Sequence, residues 1–162
     1  MVRTHTQKSA ILTVHFVALA PADPHTQIIR GRPGERRGQD VMMLKVIDVD
    51  RTPSEDTVGG IFEGGTVSTK TLIDKHVGAR ETRVAVVTFS PGARTKMHLH
   101  SHDQILYILS GKGIVANEQE EHIARPGTIF LIPAGEKHWH GATQESSFSH
   151  LYIFNLETET SY

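Results

Sequence analysis

The sequence predicts an all-β fold, an antiparallel sandwich or barrel, on three observations. Short apolar or alternating runs, rich in β-branched and aromatic side chains, recur from Leu44 to Phe154. Gly or Pro stands in most of the gaps between them. Helix signals are scarce by comparison.

Taken in order, the first expected strand covers residues 44–49, where Met42-Met43 lead into Leu-Lys-Val-Ile-Asp-Val. The next two cover 65–73 and 82–89, the second closed by Ser90-Pro-Gly92. Strands at 104–109 and 113–116 are separated by Ser110-Gly-Lys-Gly113, and residues 117–120 form a hairpin tip before a strand at 121–124. Arg125-Pro-Gly127 precedes a strand at 128–132, which stops at Pro133-Ala-Gly135. The last strand covers 147–154. No segment repeats, so a single barrel is expected.

The chain has 162 residues, 38% of them hydrophobic, enough for one core. We assign that core to residues 42–162. Residues 1–41 hold six Lys/Arg against three Asp/Glu, and 28–40 offer almost nothing to bury. They are read as a basic, disordered extension, or as spurious sequence upstream of a start at Met42. The apolar run at 10–20 is broken by Thr13 and His15 and is shorter than the roughly 20 residues a membrane span needs. A cytoplasmic location is expected, with export behind a signal peptide as the alternative. There is no cysteine, which excludes disulfides and thiolate metal sites. A net charge of −1 points to neither nucleic acid nor a membrane as partner.

The chemistry is concentrated in two blocks. The first runs from Gly92 through His98, His100 and Gln104 to Gly111; the second runs from Gly127 through Pro133 and Gly135 to His138. His98 and His100 are two apart, so a strand would direct both to one side. Gln104 and His138 could complete a ring of neutral ligands around one divalent metal. Imidazole suits Mn, Fe, Co, Ni, Cu and Zn, and an amide oxygen tilts the set toward the harder ions. His140 and His150 are either satisfied core histidines or general bases, since imidazole titrates near neutral pH. Thr95 could bring a hydroxyl to the same cavity. His102 is read as a solvated turn residue, Lys96 as a rim charge, and His76 and His122 as surface residues. Trp139 points opposite to His138 and is read as packing behind the ligands.

These two blocks resemble the motifs of the cupin superfamily, G-x5-H-x-H-x3,4-E-x6-G and G-x5-P-x-G-x2-H-x3-N. Every spacing is kept, with residues 112–126 between the motifs. Gln104 stands where the family has glutamate, and Ala142 where it has asparagine. The resemblance implies a jelly-roll, or double-stranded β-helix, barrel. The phrases Pro91-Gly-Ala-Arg-Thr95 and Gly135-Glu-Lys-His-Trp-His-Gly-Ala142 are similar to those of small bacterial cupins that include manganese-dependent hydroxynitrile lyases. That likeness implies a metal held by His98, His100, Gln104 and His138, with His150, His140 and Thr95 beside it. Manganese is the first expectation; Fe, Ni, Co, Cu and Zn are the alternatives. The implied function is a lyase for a small oxygenated molecule. The alternatives are an Fe- or Mn-dependent dioxygenase and a non-catalytic small-molecule-binding protein. A homodimer is also expected, because the strands at 44–49 and 65–73 need an edge to pair with.

Overall fold

The computed structural model describes residues 44–162. The expectations for residues 1–41, both the extension and the apolar run at 10–20, lie outside the described residues.

Thirteen strands and one short 3-10 turn make up this unit. In chain order the strands are β1 (Glu55–Thr57), β2 (Phe62–Glu63), β3 (Val67–Ile73), β4 (Thr82–Phe89), β5 (Arg94–Thr95), β6 (Leu99–His100), β7 (Gln104–Gly111), β8 (Gly113–Asn117), β9 (Glu121–Ala124), β10 (Ile129–Ile132), β11 (His138–Ala142), β12 (Phe148–Asn155) and β13 (Thr160–Ser161). The 3-10 turn, Lys75–Val77, is capped by Asp74 and ends at Gly78. A six-stranded sheet in the order β1-β3-β4-β12-β7-β10 faces a five-stranded sheet in the order β2-β5-β11-β8-β9, and β13 pairs with β6. This is the all-β jelly roll that the sequence predicts. Among the described residues no helix is long and apolar enough to cross a membrane.

Alternation explains the layering. In β4, Ala85, Val87 and Phe89 face inward and Val84 and Val86 face outward. The inward residues meet Leu106, Ile108, Val115 and Phe148 between the sheets. Phe89, Leu106, Ile108 and Phe148 are almost wholly buried, and each such side chain stabilises the fold by roughly 1.5–3 kcal/mol.

Residues 44–49 correct the expectation of a first strand. They pair with no strand. Ile47 lies against Leu72, Val84 and Val86 on the outer face of the larger sheet, while Leu44 and Val46 stay exposed. β1 of the same chain takes part of the β3 edge, Glu55 opposite Thr69, and residues 44–49 lie across the face of the sheet through Ile47, where its apolar side chain is partly buried without edge pairing. The other expected strands are present, with ends shifted by up to two residues.

Gly111 closes the β7–β8 corner with φ 75°, and a Cβ there would overlap the Ser147 carbonyl. Both the left-handed backbone and the close approach require glycine. Gly111→Ala is expected to lower stability by roughly 3 kcal/mol, measured by denaturant unfolding. A loss below about 0.5 kcal/mol would show that the corner relaxes.

Candidate metal centre

Three short elements and the two sheets bring the two motif blocks together. His98 lies between β5 and β6, and its backbone exchanges hydrogen bonds with His138 in both directions, at 2.9 and 2.8 Å. This bridge clamps the first block to the start of β11. His100 follows on β6 and Gln104 opens β7. His140 shares the inward face of β11 with His138, and His150 reaches the cavity from β12 in the opposite sheet. All six side chains are buried, and so is Thr95.

The rings form a continuous cluster. Centroid distances are 4.2 Å for His98–His138, 4.9 Å for His98–His100, 5.3 Å for His100–His138 and 4.9 Å for His140–His150. Nitrogens of His98, His138 and His140 all lie within 4.8 Å of one another, a group that could hold a metal ion. That group includes His140, which the sequence reads as a candidate base, although by ring centroid His100 is nearer than His140 to both His98 and His138.

Hydrogen bonds fix the tautomers. His98 Nδ1 is 2.9 Å from the Lys96 carbonyl oxygen, and His138 Nδ1 is 2.9 Å from that of Glu136. A carbonyl only accepts, so each Nδ1 carries the proton and each Nε2 keeps a lone pair. His100 Nδ1 meets the Thr160 hydroxyl at 2.9 Å. His138 Nε2 lies 2.9 Å from Gln104 Oε1, so two lone pairs face each other. A cation between them resolves that repulsion; a rotated Gln104 amide is the metal-free alternative. His100 Nε2 and both nitrogens of His140 and His150 are buried without partners. Each unpaired polar atom of this kind costs about 1–3 kcal/mol. Neutral, oriented, unpaired nitrogens beside an amide oxygen fit a divalent metal.

Burial sets the protonation states. It pushes the His98 pKa down to about 4, with the His138 charge adding to the effect. His100 and His150 are pushed down to about 3, chiefly by burial. His138 is lowered and His140 is held well below its ordinary value, again by burial first. All are neutral at pH 7, as ligation and general-base chemistry both require. These rings are neutral when folded but charge in the unfolded chain below about pH 6.5, so their contribution to stability is complete above that pH and is lost as pH falls. His98, His100 and His150 together remove about 4 kcal/mol per pH unit in this window. Metal-free protein is therefore expected to unfold in acid between about pH 6 and 4, followed by circular dichroism. A fold that persists to pH 3 would contradict these buried, neutral rings.

Other residues fall where the sequence puts them. His102 is exposed and bonded to the Ser101 hydroxyl, and His122 pairs with Glu120. Lys96 reaches outward to the Gly60 carbonyl. Trp139 lies behind the ligands, under the guanidinium of Arg94, which also pairs with Glu63. Thr95 spends its hydroxyl on β11, accepting from His140 N at 3.0 Å and lying 3.3 Å from its carbonyl; it holds the histidine strand. Sequence reasoning missed Thr160, which orients His100 from β13, and Arg83, Tyr152 and Phe154, which line the cavity of about 460 Å³. Thr160 carries no local signal, being paired with His100 across 60 positions.

Comparison with known proteins decides the family. Residues 85–154 match the cupin domain family. A cupin-like protein from Thermotoga maritima has the same fold, with a TM-score of 0.62 and 31% identity, over 69% of this chain and 86% of that one. The chain is a cupin. The polyketide cyclase RemF from Streptomyces resistomycificus shares the fold at 21% identity, TM-score 0.65, over 72% of this cupin and 82% of that chain. This cupin is also 42% identical over 73 residues to an (R)-mandelonitrile lyase of Granulicella tundricola, which is 43% of its own length and 53% of the lyase. An auxin-binding protein of Nicotiana tabacum is 38% identical over 72 residues, 38% of each chain. The cupin thus spans about half or less of these two relatives.

Proposed function

We propose that this cupin is a metal-dependent lyase of the hydroxynitrile-lyase type, acting on a small α-hydroxy compound, with manganese as its metal. The observation that carries this reading is the buried histidine–glutamine cluster, whose donors are neutral and oriented, set beside two further histidines with no partner. The likeness to the mandelonitrile lyase supports it. His98, His100, Gln104 and His138 would hold the metal. When bound, it supplies Lewis acidity toward a substrate oxygen.

The chain's own residues handle the proton. His150 is neutral far below pH 7, so a ring nitrogen is free to take the hydroxyl proton of a cyanohydrin. The C–CN bond then breaks, the carbonyl forms, and cyanide takes the proton back to leave as HCN. His140, 4.9 Å away by ring centroid, is the second candidate for that transfer. The apolar walls Phe62, Val87 and Phe154 limit water beside the base.

The experiment compares two assays on manganese-loaded protein: release of aldehyde and cyanide from mandelonitrile, and oxygen uptake with diketones or phenols. Cyanide release without oxygen uptake is the expected result. Oxygen uptake alone would mark a dioxygenase, and binding without turnover in either assay a non-catalytic protein.

Gln104→Glu tests the neutral fourth ligand. A carboxylate lowers the charge of the site and stabilises a higher oxidation state. Lyase turnover is expected to fall by about tenfold or more, with easier oxidation of the metal followed by electron paramagnetic resonance. Unchanged activity and redox behaviour would place Gln104 off the metal.

A homodimer is part of the same reading. On the outer face of the larger sheet, away from the part that Ile47 covers, Tyr107 and Ile129 form one cross-strand pair and Ile105 and Leu131 the next. Ile129 and Leu131 are 65% and 66% exposed. These four side chains carry no charge, so a second copy can meet them about a two-fold axis without desolvating one. Leu131→Arg is expected to shift the mass by light scattering from dimer to monomer; a monomeric wild type would end the idea.

A further inference from the structure

Arg83 is exposed near the start of β4, on the strand face that further along carries the core residues Ala85, Val87 and Phe89. It lines the same cavity as His98, His100, Gln104, His140 and His150. Its cross-strand neighbour is Phe154, whose ring stands 4.6 Å from His100 and 4.5 Å from Tyr152. A guanidinium that lines a cavity can pair with a carboxylate there. Among the described residues Arg83 has no such partner.

Tyr152 sits beside it. Burial raises the phenol's pKa and the positive charge of Arg83 works against that rise, so the guanidinium field reaches the hydroxyl. That hydroxyl also has no hydrogen-bond partner among the described residues and lines the cavity. The acidic side chains of the cavity, Glu55 and Asp56, are elsewhere. Glu55 pairs with Thr69, and Thr69 pairs with Val87, four residues or about 13 Å along β4 from Arg83. The two acids are exposed on the edge strand β1, and Arg83 stands at the Phe154 end of the cavity. Between Arg83 on β4 and Gln104 on β7 stands only β12, a separation of about 10 Å across the sheet.

We propose that Arg83, with the Tyr152 hydroxyl, binds a carboxylate on the substrate, so that the substrates are carbonyl or α-hydroxy compounds carrying a carboxylate about one aromatic ring away from the reacting carbon. The planar fork of guanidinium donors suits a carboxylate bidentately, and the phenol supplies a third donor. This inference rests on the reading of the cavity as a site of metal-dependent carbonyl chemistry, and adds which molecules enter it.

The test is calorimetric binding to the manganese-loaded full chain, with 4-formylbenzoate and its methyl ester as probes. The acid is expected to bind at least about tenfold more tightly than the ester. Arg83→Gln should abolish that preference and leave ester affinity unchanged; Arg83→Lys should keep part of it. Equal binding of the two probes, or a preference that survives Arg83→Gln, overturns the role of Arg83 and leaves the carbonyl reading intact. Binding of neither probe to fully metal-loaded protein overturns both.

Discussion

His150→Ala is expected to cut cyanohydrin turnover by about 100- to 10,000-fold, the range for loss of a general base, while metal content and thermal stability are kept. The expectation follows from position. His150 is wholly buried on β12, both of its nitrogens lack partners, and its ring packs at 4.9 Å from His140 and 5.7 Å from Phe89. A histidine so placed remains neutral through the whole working pH range, so the rate should show no acid limb belonging to it above about pH 4. Removing the ring also removes two unpaired buried nitrogens, which offsets part of the cavity left behind. Paired measurement of metal by elemental analysis and of rate by cyanide release separates the cases. Loss of metal would make His150 a ligand. Full activity would move the base to His140.

His138→Ala is expected to weaken metal affinity by more than about 100-fold, since loss of a supporting residue alone costs 10–100-fold. His138 holds three relations at once: the Glu136 carbonyl through Nδ1, the Gln104 amide through Nε2, and the His98 backbone. The backbone bridge does not depend on the side chain, so His98 and β11 should stay in place. Titration of metal-free variant with manganese, followed by electron paramagnetic resonance, reads the change. Affinity within threefold of wild type would show that His138 is not a ligand.

Much of this architecture is legible in the residues. The apolar, β-branched run Val84–Val87, flanked by Thr82 and Phe89, gives a strand with the bounds of β4, buried on both faces. The two motif blocks converge as their spacing implies, with His98, His100, Gln104 and His138 in one buried cluster. Residues 44–49 show the limit of the same logic. They are apolar at intervals, but that pattern does not say whether a segment joins the edge of a sheet or lies across its face, as Ile47 does. The strand β11 escaped because His-Trp-His-Gly-Ala has none of the branched residues that mark strands. β5, β6 and β13 are two residues each, too short for any period. Arg83 went unread for a related reason. A charge on a strand has no meaning in the sequence until the structure shows that it lines the cavity and meets no acid.

The ligand set itself is the account's central claim, and geometry leaves a sharp alternative: His98, His138 and His140 have nitrogens within 4.8 Å of one another, whereas the motif assigns His98, His100, Gln104 and His138. The deciding measurement is elemental analysis of wild type, His100→Ala and His140→Ala, each purified without chelators and dialysed against manganese. The account predicts about one divalent metal per chain in wild type, nearly the same in His140→Ala, and little in His100→Ala. Metal retained by His100→Ala and lost from His140→Ala, or no metal in wild type, would contradict it.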